Sequence, residues 1–579
     1  MADPRVEPAS PGRAEDRPAI SFAILGLCLL AVLAILFAES FERGKVLFSN
    51  DRTLGLISSE ADQLPGTFFG YWADLNWVGY AMPSAAPDIN YAVNSILTPV
   101  QFLKFFPPFS LFFLGLSAGL CFRQLGFGPL VCVLGGLAAA LNSNVFSNVC
   151  WGQTSRALCM GTSFLALAAL HTRPVKWGWL SPLVAGLAVG MGVMDGLDVG
   201  ALFSLCIAAY VLFHSWTWEG ALRRRLVVGA GKVAIIAVFA ALTAAHGLST
   251  MIQTQVQGVS GMEQDEESRE RRWVQATVWS LPKIETLRVI IPGLFGYRMD
   301  SEGRNYWGAV GQVPEVKTSR SSGAGEYAGV LVVLIALWGA AQALRGNAGG
   351  YALRERRWIG FWCGVALISV LLAWGRHAPF YQFVYALPYF STIRNPIKFM
   401  HVFHFALLIL FGYGLHHLVR HHLGAAAGKT ASIGGQLKLW RAERTFGKRW
   451  TVGCLIVAGV SALGWVMMMA SHEKWAAHIQ ELGFPTSLAG EIARSSIGEV
   501  GWFVVWLLLG VVAMTLVFSG ALAGGRVRWA GILLGLLLVV DLGRANLPWI
   551  IYQNHIRKYA TNPVLDVLRE APYEARVTL

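Results

Sequence analysis

The sequence has too little charge for a soluble protein of its length. Of its 579 residues only 14% are charged, whereas 55% are hydrophobic and 22 are tryptophan. A soluble domain of this size needs far more polar surface. Apolar stretches of roughly 17–22 residues recur along the chain, long enough to cross a hydrocarbon core about 30 Å thick. The composition therefore excludes an ordinary soluble protein and predicts an integral membrane protein.

The sequence also lacks the alternating ten-residue segments that mark a transmembrane β-barrel. Backbone polar groups cannot stay unpaired in lipid, so the apolar stretches are predicted to be helices. The expected fold class is an all-α polytopic membrane protein with about thirteen transmembrane helices and short helices in its outer loops.

Metal-binding and disulfide patterns are missing as well. The eight cysteines include no C-x-x-C pair, and nearly all lie inside apolar runs, where cysteine acts as a small hydrophobic residue. Neither a zinc site nor a disulfide framework is indicated. The net charge of +13 comes from basic residues in short loops that alternate with acidic or mixed loops. That distribution indicates membrane topology and argues against a nucleic-acid partner.

The apolar segments define a multi-span domain over residues 20–546, after a polar tail (1–19) that we predict to be disordered and cytoplasmic. The first segment is too long for the core of a signal peptide and is predicted to be a retained span. The predicted spans are residues 20–38, 105–122, 127–145, 155–171, 178–194, 197–214, 229–249, 327–344, 357–375, 399–419, 450–470, 501–519 and 528–546.

Loop charge predicts the orientation. With the N-terminus inside, every cytoplasmic segment has an excess of Lys and Arg, as the positive-inside rule requires. These segments contain Arg5, Arg13 and Arg17, then Arg123, Arg173 with Lys176, Arg223 to Arg225, and residues 345–357, 420–449 and 526–528. The segments 39–104, 250–326, 376–398, 471–500 and the C-terminal tail 547–579 then face out. We expect a multi-pass protein of the bacterial cytoplasmic (inner) membrane.

The first outer loop carries two candidate catalytic acids. Asp51 follows the first span closely, in F-S-N-D-R-T-L-G, and Asp74 lies further on, in Y-W-A-D-L-N-W. A carboxylate at the membrane surface can act as general base towards an acceptor hydroxyl or bind a divalent cation. The alternative for Asp51 is that Asn50 and Asp51 start a turn and cap a helix.

The second long outer loop, 250–326, is predicted to be an ordered lid of short helices and turns, because Pro and Gly punctuate it. It contains V-W-S-L-P-K-I-E-T-L, I-P-G-L-F-G-Y-R and N-Y-W-G. Glu285 and Arg288 are neighbours at i,i+3 if this part is helical. They are candidate site residues, and the alternative is an ordinary surface pair.

Basic residues lie at the outer ends of two predicted spans. Arg394 and Lys398 sit where topology does not favour positive charge. A lipid-linked phosphate would explain them, and the alternative is snorkelling to lipid headgroups. Arg544 follows Asp541 by three residues near the end of the last span, and the two are predicted to pair.

Four more polar residues lie at span ends. Asp195 and Asp198 occupy an outward turn, where they are candidates for binding an ion or an acceptor, although helix capping explains them equally well. Gln153 and Arg156 open the fourth span from outside, as part of a site or as a satisfied polar pair.

Several phrases occur together in a particular order: W-S-L-P-K-I-E-T-L, P-G-L-F-G, Y-W-G, and then L-P-Y-F-S-T-I-R-N-P-I-K-F before an aliphatic span with G-Y-G-L. In this order and spacing the sequence resembles the YfhO family of bacterial membrane proteins over nearly its whole length. That family is similar to the GT-C superfamily of polytopic glycosyltransferases.

The resemblance implies a sugar donor carried on polyprenyl phosphate and transfer outside the cytoplasm to a cell-envelope polymer or glycolipid. It implies a catalytic acid in the first outer loop, which would be Asp51 with Asp74 second, and phosphate-facing residues at Arg394 and Lys398. Two departures stand out. Family members often have Gly-His where this chain has Gly152-Gln153, and many continue into a large outer domain, whose first strand the ending 574–579 resembles.

Two rival functions remain. A transporter or flippase for lipid-linked sugars would place acids and bases near the middle of the bilayer, and its two similar halves are not evident here. A non-catalytic scaffold would use the outer loops to dock a partner. The enzyme hypothesis requires Asp51 and Arg394 to converge at one site.

Overall fold

The chain folds into a bundle of α-helices with two small sheets. The computed structural model describes residues 18–69, 71–73, 80–82, 88–172, 179–251, 266–312, 324–387, 394–424, 432–568 and 570. The helices in the first half are α1 Pro18–Leu36, α2 Leu54–Asp62, α3 Ile89–Asn94, α4 Pro99–Gln124, α5 Pro129–Ala140, α6 Ser143–Cys150, α7 Ser155–His171, α8 Leu180–Asp195, α9 Leu197–Trp216, α10 Leu222–Met251 and α11 Glu266–Thr277.

The second half is built in the same way. Its helices are α12 Val330–Leu344, α13 Leu353–Ala373, α14 Phe380–Tyr385, α15 Phe399–Leu418, α16 Ile433–Ala442, α17 Phe446–Ala470, α18 His472–Glu481, α19 Thr486–Phe518, α20 Val527–Asn546, α21 His555–Lys558 and α22 Pro563–Leu568. The strands are β1 Lys45–Leu47, β2 Tyr71–Ala73, β3 Tyr80–Met82 and β4 Tyr552–Asn554. Short 3-10 turns lie at Lys283–Val289, Gly375–His377, Pro396–Lys398 and Leu547–Trp549.

Within the described residues, eight helices are long and apolar enough to cross a membrane, or nine if the bent pair α5 and α6 is counted as one span. The eight are α4, α9, α10, α13, α15, α17, α19 and α20. Three shorter apolar helices, α1, α8 and α12, join them. The structure therefore confirms a polytopic α-helical membrane protein, and the count of about thirteen spans stays a prediction.

The predicted span over residues 127–145 is not one continuous helix. Helix α5 ends at Ala140, α6 begins at Ser143, and the two axes differ by 43°. The side chain of Asn142 accepts a hydrogen bond from the backbone N–H of Asn144 at 3.2 Å. Such a local bond satisfies the start of a new helix and competes with continuation of the old one, so the apolar run breaks at this asparagine.

The predicted outer segment 471–500 is mostly helical, and its position outside the membrane stays a prediction. Helix α18 occupies its first part, and α19 begins at Thr486 and runs for 33 residues. Ala489, Ile492, Ala493 and Ser496 are buried on one face of α19. That spacing is typical of an amphipathic helix, which continues the span although its other face is polar.

The two segments that flank the bundle meet at one of its ends. Strand β1, after α1, pairs antiparallel with β4, after α20, and Val46 lies opposite Gln553. The hydroxyl groups of Ser40 and Tyr552 lie 2.7 Å apart beside this sheet. Residues 45–47 of the first predicted outer segment and 552–554 of the last one therefore lie together at one end of the bundle.

Helix α15 is the centre of the bundle, where α5, α7, α9, α12 and α13 pack around it. Its residues are buried along almost the whole helix. Helix α17, by contrast, packs mainly against α19, and few of its residues are buried. A helix that is apolar on its exposed faces is suited to contact with lipid.

Candidate functional site

Asp51 lies in the loop between β1 and α2, at the end of the bundle where β1 meets β4. The indole Nε1 of Trp151 donates to its Oδ1 at 3.0 Å, and the side-chain amide of Gln153 donates to its Oδ2. Its own backbone N–H donates to the carbonyl of Trp151 at 3.1 Å. Helix α2 is capped by Thr53, so the capping role considered for Asp51 is wrong. The carboxylate is exposed and its position is determined by the 151–153 loop.

From Asp51 a continuous set of contacts leads across the end of the bundle. Gln153 accepts at Oε1 from Arg156 Nε at 3.0 Å, and Arg156 donates to Asp198 Oδ1 at 2.9 Å. Lys398 donates to the second carboxylate oxygen of Asp198. We call these five residues (Asp51, Gln153, Arg156, Asp198 and Lys398) the polar chain. The sequence left open whether Gln153 and Arg156 are a satisfied polar pair or part of a site. They are hydrogen-bonded to each other, and they also belong to the polar chain.

The polar chain joins four separate parts of the sequence. Arg156 stands in the first turn of α7, Asp198 in the first turn of α9, and Lys398 directly before α15. Asp198 is the outermost of the three, with 34% of its side chain exposed against 12% for Arg156 and 14% for Lys398. The carboxylate is therefore the most accessible member of a group whose two cations are largely buried.

Arg394 is exposed and lies close to this group. Asn395 takes a left-handed conformation at φ 68° and donates its backbone N–H to the carbonyl of Ala276 at 2.8 Å. The N–H of Ile397 donates to the carbonyl of Trp279 at 3.0 Å. These bonds tie the segment before α15 to the 276–279 turn. Arg394 is near enough to Lys398 for the two positive charges to repel.

Glu285 and Arg288, the other predicted acid–base pair, lie elsewhere. Their carboxylate and guanidinium are 3.2 Å apart, and only 2% and 3% of the two side chains are exposed. Tyr306 donates its hydroxyl to Glu285 at 2.6 Å, and the N–H of Ala309 donates to it at 2.7 Å. The surface-pair interpretation is therefore wrong, because the pair holds the predicted lid together from inside.

Asp195 takes no part in the polar chain, although it lies only three residues before Asp198. It is buried and accepts from the side-chain amide of Asn90 at 3.0 Å, and Asn90 accepts in turn from the hydroxyl of Thr154 at 2.9 Å. These contacts dock α3 of the first outer segment onto α7 and α8. Nearby, Asp88 caps α3, and burial raises the pKa of that carboxyl to about 6.

The second candidate acid, Asp74, lies outside the described residues. Across the part of the chain that the structure describes, no three side chains among His, Cys, Asp and Glu are grouped so that they could hold a metal ion. The divalent cation considered for Asp51 therefore stays a prediction without a known set of ligands.

Arg298 is a site residue that sequence reasoning missed. Its side chain is buried, and the guanidinium lies over the rings of Trp151 at 4.7 Å and Phe48 at 5.4 Å. It donates to Asn50 at 2.9 Å and makes two bonds of 2.8 Å to Asp300. Arg298 thus clamps the two loops that hold Asp51, at the cost of burying a charge that Asp300 compensates. A charged residue at the end of I-P-G-L-F-G-Y-R, an otherwise apolar motif, was the available signal.

A buried polar network lies directly beneath the polar chain. His404 contacts Glu326 at 3.3 Å and Asn142 at 3.0 Å, while Asn144 donates to Glu326 at 3.0 Å. His401 lies 2.6 Å from Asn144 Oδ1. The spacing of Lys398, His401 and His404 at i, i+3 and i+6 puts them on one face of α15. Ionisable residues inside an apolar bundle are candidates for function, and this spacing was the missed signal.

Asp541 and Arg544 do not pair with each other, which corrects that prediction. Asp541 accepts from the hydroxyl of Tyr327 at 2.6 Å and from the N–H of Val330 at 3.1 Å. Arg544 donates to Glu499 of α19 at 2.7 and 3.2 Å. Asp541 and Arg544 therefore connect α20 to two different parts of the bundle, Asp541 to the start of α12 and Arg544 to α19.

Comparisons with protein-family models, with curated proteins and with solved structures found no match for this chain. The class supported by the fold is a polytopic α-helical membrane protein, in which an exposed carboxylate and several cations lie together at one end of the bundle. Function must therefore be inferred from the chemistry of these residues.

Proposed function

We propose that this protein is a GT-C-like membrane glycosyltransferase related to the YfhO family. It would move a sugar from a polyprenyl-phosphate donor to a cell-envelope polymer or glycolipid acceptor on the outer face of the bacterial inner membrane. The observation that supports the proposal is the polar chain, because it joins the exposed carboxylate of Asp51 to the cations Arg156 and Lys398 beside the membrane-spanning bundle. This reaction needs a carboxylate that can take the proton of the acceptor hydroxyl, and cations that can bind the phosphate of the donor.

In the proposed reaction Asp51 removes the proton from the acceptor hydroxyl as that oxygen attacks the anomeric carbon of the sugar. The bond between the anomeric carbon and the phosphate oxygen breaks, and its electron pair leaves with the polyprenyl phosphate. Lys398 and Arg394 stabilise the negative charge that grows on this phosphate. Attack opposite the leaving group inverts the anomeric centre.

The contacts of Asp51 suit a general base. Trp151 and Gln153 each donate to one of its carboxylate oxygens, so the group is oriented before the acceptor arrives. Each oxygen of an ionised carboxylate keeps a second lone-pair position for another donor. The carboxylate can therefore accept the acceptor proton without losing the bonds that orient it.

The direct test is sugar transfer in membrane fractions supplied with radiolabelled polyprenyl-phosphate sugars. Asp51→Asn should lower transfer at least ~100-fold, since a positioned general base contributes about that much or more. Asp62→Asn is the matched control, because Asp62 is an exposed acid at the end of α2 in the same outer segment. Wild-type activity in Asp51→Asn would remove Asp51 from the mechanism.

Sidedness needs its own test, because the donor is proposed to be used outside the cytoplasm. Ile96, with 82% of its surface exposed, lies in the segment between α3 and α4, and Glu443 is exposed at the end of α16. In a background without native cysteines, Ile96→Cys should react with a membrane-impermeant thiol reagent in intact cells, and Glu443→Cys should react only after lysis. The reverse pattern would place the polar chain in the cytoplasm and refute the proposal.

The flippase alternative keeps one supporting observation, the buried Glu326–His404 pair inside the bundle. Ionisable groups at such depth are typical of transport pathways. In proteoliposomes that contain labelled lipid-linked sugar and no acceptor, a flippase would move label between leaflets. Glu326→Gln should abolish that movement if this alternative holds. The glycosyltransferase proposal expects no movement of label in the wild type or in Glu326→Gln.

A further inference from the structure

Lys398, a proposed phosphate-binding residue, already has an anionic partner. Asp198 accepts from Lys398 with one carboxylate oxygen and from Arg156 with the other, at 2.9 Å. One carboxylate therefore bridges two cations from different parts of the chain. A phosphate that binds Lys398 would have to compete with this carboxylate.

The exposures show where the carboxylate stands relative to its partners. Asp198 is 34% exposed, whereas Arg156 and Lys398 are 12% and 14% exposed. The anion is thus more accessible to water than the cations that it binds, and a ligand in water can reach it more readily.

We propose that Asp198 is a built-in placeholder for a phosphate group. Arg156 and Lys398 form the anion seat, Asp198 fills it in the unliganded protein, and a phosphate monoester displaces Asp198 when it binds. The identity of the phosphate as part of a lipid-linked sugar rests on the proposed function. The exchange of Asp198 for a phosphate does not depend on that function.

Repulsion between the cations explains why the anion seat needs Asp198 when no phosphate is bound. Without Asp198, the ammonium of Lys398 would face Arg156 and the nearby Arg394 with no anion between them. Like charges in a half-buried site repel strongly, because water screens them poorly there. A carboxylate lowers this repulsion, and a phosphate, with more oxygens and more charge, can replace the carboxylate.

The seat would survive the exchange, because its cations have other anchors. Arg156 is also bonded to Gln153 through Nε at 3.0 Å, and Lys398 belongs to the turn that begins α15. Asp198 itself can turn into water, since it stands in the first turn of α9 and is already partly exposed. The displaced carboxylate therefore does not become a buried, unpaired charge.

The test is phosphate binding by the purified full chain in nanodiscs made of neutral lipid. Inorganic phosphate and farnesyl phosphate are the two probes, and they separate free phosphate from a prenyl headgroup. Asp198→Asn should bind at least one probe about ten times more tightly than wild type, because its competitor for the seat has lost its charge. Adding Arg156→Gln to Asp198→Asn should remove the gain, and Asp198→Glu should bind no more tightly than wild type.

Asp195→Asn is the matched control, because it is the same substitution three residues away, on a side chain bonded to Asn90 and not to the seat. It should leave both affinities unchanged. Equal affinity in wild type and Asp198→Asn, or an equal gain in Asp195→Asn, would overturn the proposal. Asp198→Ser provides a second neutral variant, and failure of both neutral variants to fold would assign Asp198 a structural role and also overturn it.

These results are separable from the proposed function. A gain of phosphate affinity in Asp198→Asn, together with no sugar transfer by the wild-type protein, would refute the glycosyltransferase and keep the exchange. Sugar transfer by the wild type without that gain would refute the exchange alone.

Discussion

Two acid–base groups near the same end of the molecule have opposite characters. The Glu285–Arg288 pair is sealed, with 2% and 3% of its side chains exposed, and Tyr306 and Ala309 complete the bonds of its carboxylate. The polar chain is open, and its central carboxylate, Asp198, is 34% exposed. In the sequence both are simply an acid and a base near an outer segment.

This difference in exposure indicates which of the two groups can bind a ligand or react with it. A buried pair holds its partners in one arrangement, because separating them leaves a charge without water, and removing one partner costs about 3–5 kcal/mol. A partly exposed pair is held less firmly, because water can replace a lost partner, and it can therefore exchange a partner for a ligand. The sealed pair is therefore a structural element of the lid, and the open chain is the candidate site.

Glu285→Ala should give the largest effect on stability. It leaves Arg288 buried without its carboxylate, so we expect a loss of about 3–5 kcal/mol in the free energy of unfolding. Asp198→Ala should cost less by the same measure, because part of the carboxylate that it removes is already in contact with water. Thermal unfolding in detergent compares the two, and similar losses in both variants would erase the distinction between sealed and open groups.

Trp151→Phe should have an intermediate effect, on activity rather than on stability. It keeps an aromatic ring for Arg298 to stack on and removes the indole N–H that donates to Asp51 Oδ1. One lost hydrogen bond to a charged group, worth about 1.5–3 kcal/mol, should lower sugar transfer roughly 10- to 100-fold.

The KM for the lipid donor should stay unchanged in Trp151→Phe, because Lys398 and Arg394 are untouched. Trp529→Phe, an exposed tryptophan of α20, is the control and should behave like wild type. A loss of thermal stability in Trp151→Phe as large as that of Glu285→Ala would show that the Asp51 loop is structural instead.

Asp88→Asn should have the smallest effect, visible only in the pH dependence of stability. Burial raises the pKa of Asp88 from 3.8 to about 6 in the folded protein, so folding favours its protonated form. This contribution to stability is complete below about pH 4 and is lost as the pH rises through 6.

Asparagine can still accept from the N–H of Tyr91 and cap α3, but it does not titrate. Between pH 5 and 7 the melting temperature of wild type should therefore fall relative to that of Asp88→Asn by roughly 2 °C. Parallel melting curves across this range would show that Asp88 keeps an ordinary pKa.

The sequence by itself determined the helices. The segment predicted at 155–171 is α7, and the segment predicted at 528–546 differs from α20 by one residue at its start. These elements follow from local composition, because an apolar stretch in lipid must satisfy its own backbone as a helix. The prediction missed the break at Asn142, where one polar side chain restarts the helix, and it did not foresee that α19 begins at Thr486, before the span predicted at 501–519.

Only the tertiary structure decided which residues meet. Asp51, Gln153, Asp198 and Lys398 are each recognisable in the sequence, yet their connection depends on how α7, α9 and α15 pack around one another. The same packing buried Glu285 and gave Asp541 and Arg544 separate partners. Hydrophobicity acts on each segment alone and can be read locally, whereas an ion pair needs two particular atoms from distant segments within about 3 Å, and folding alone determines that distance.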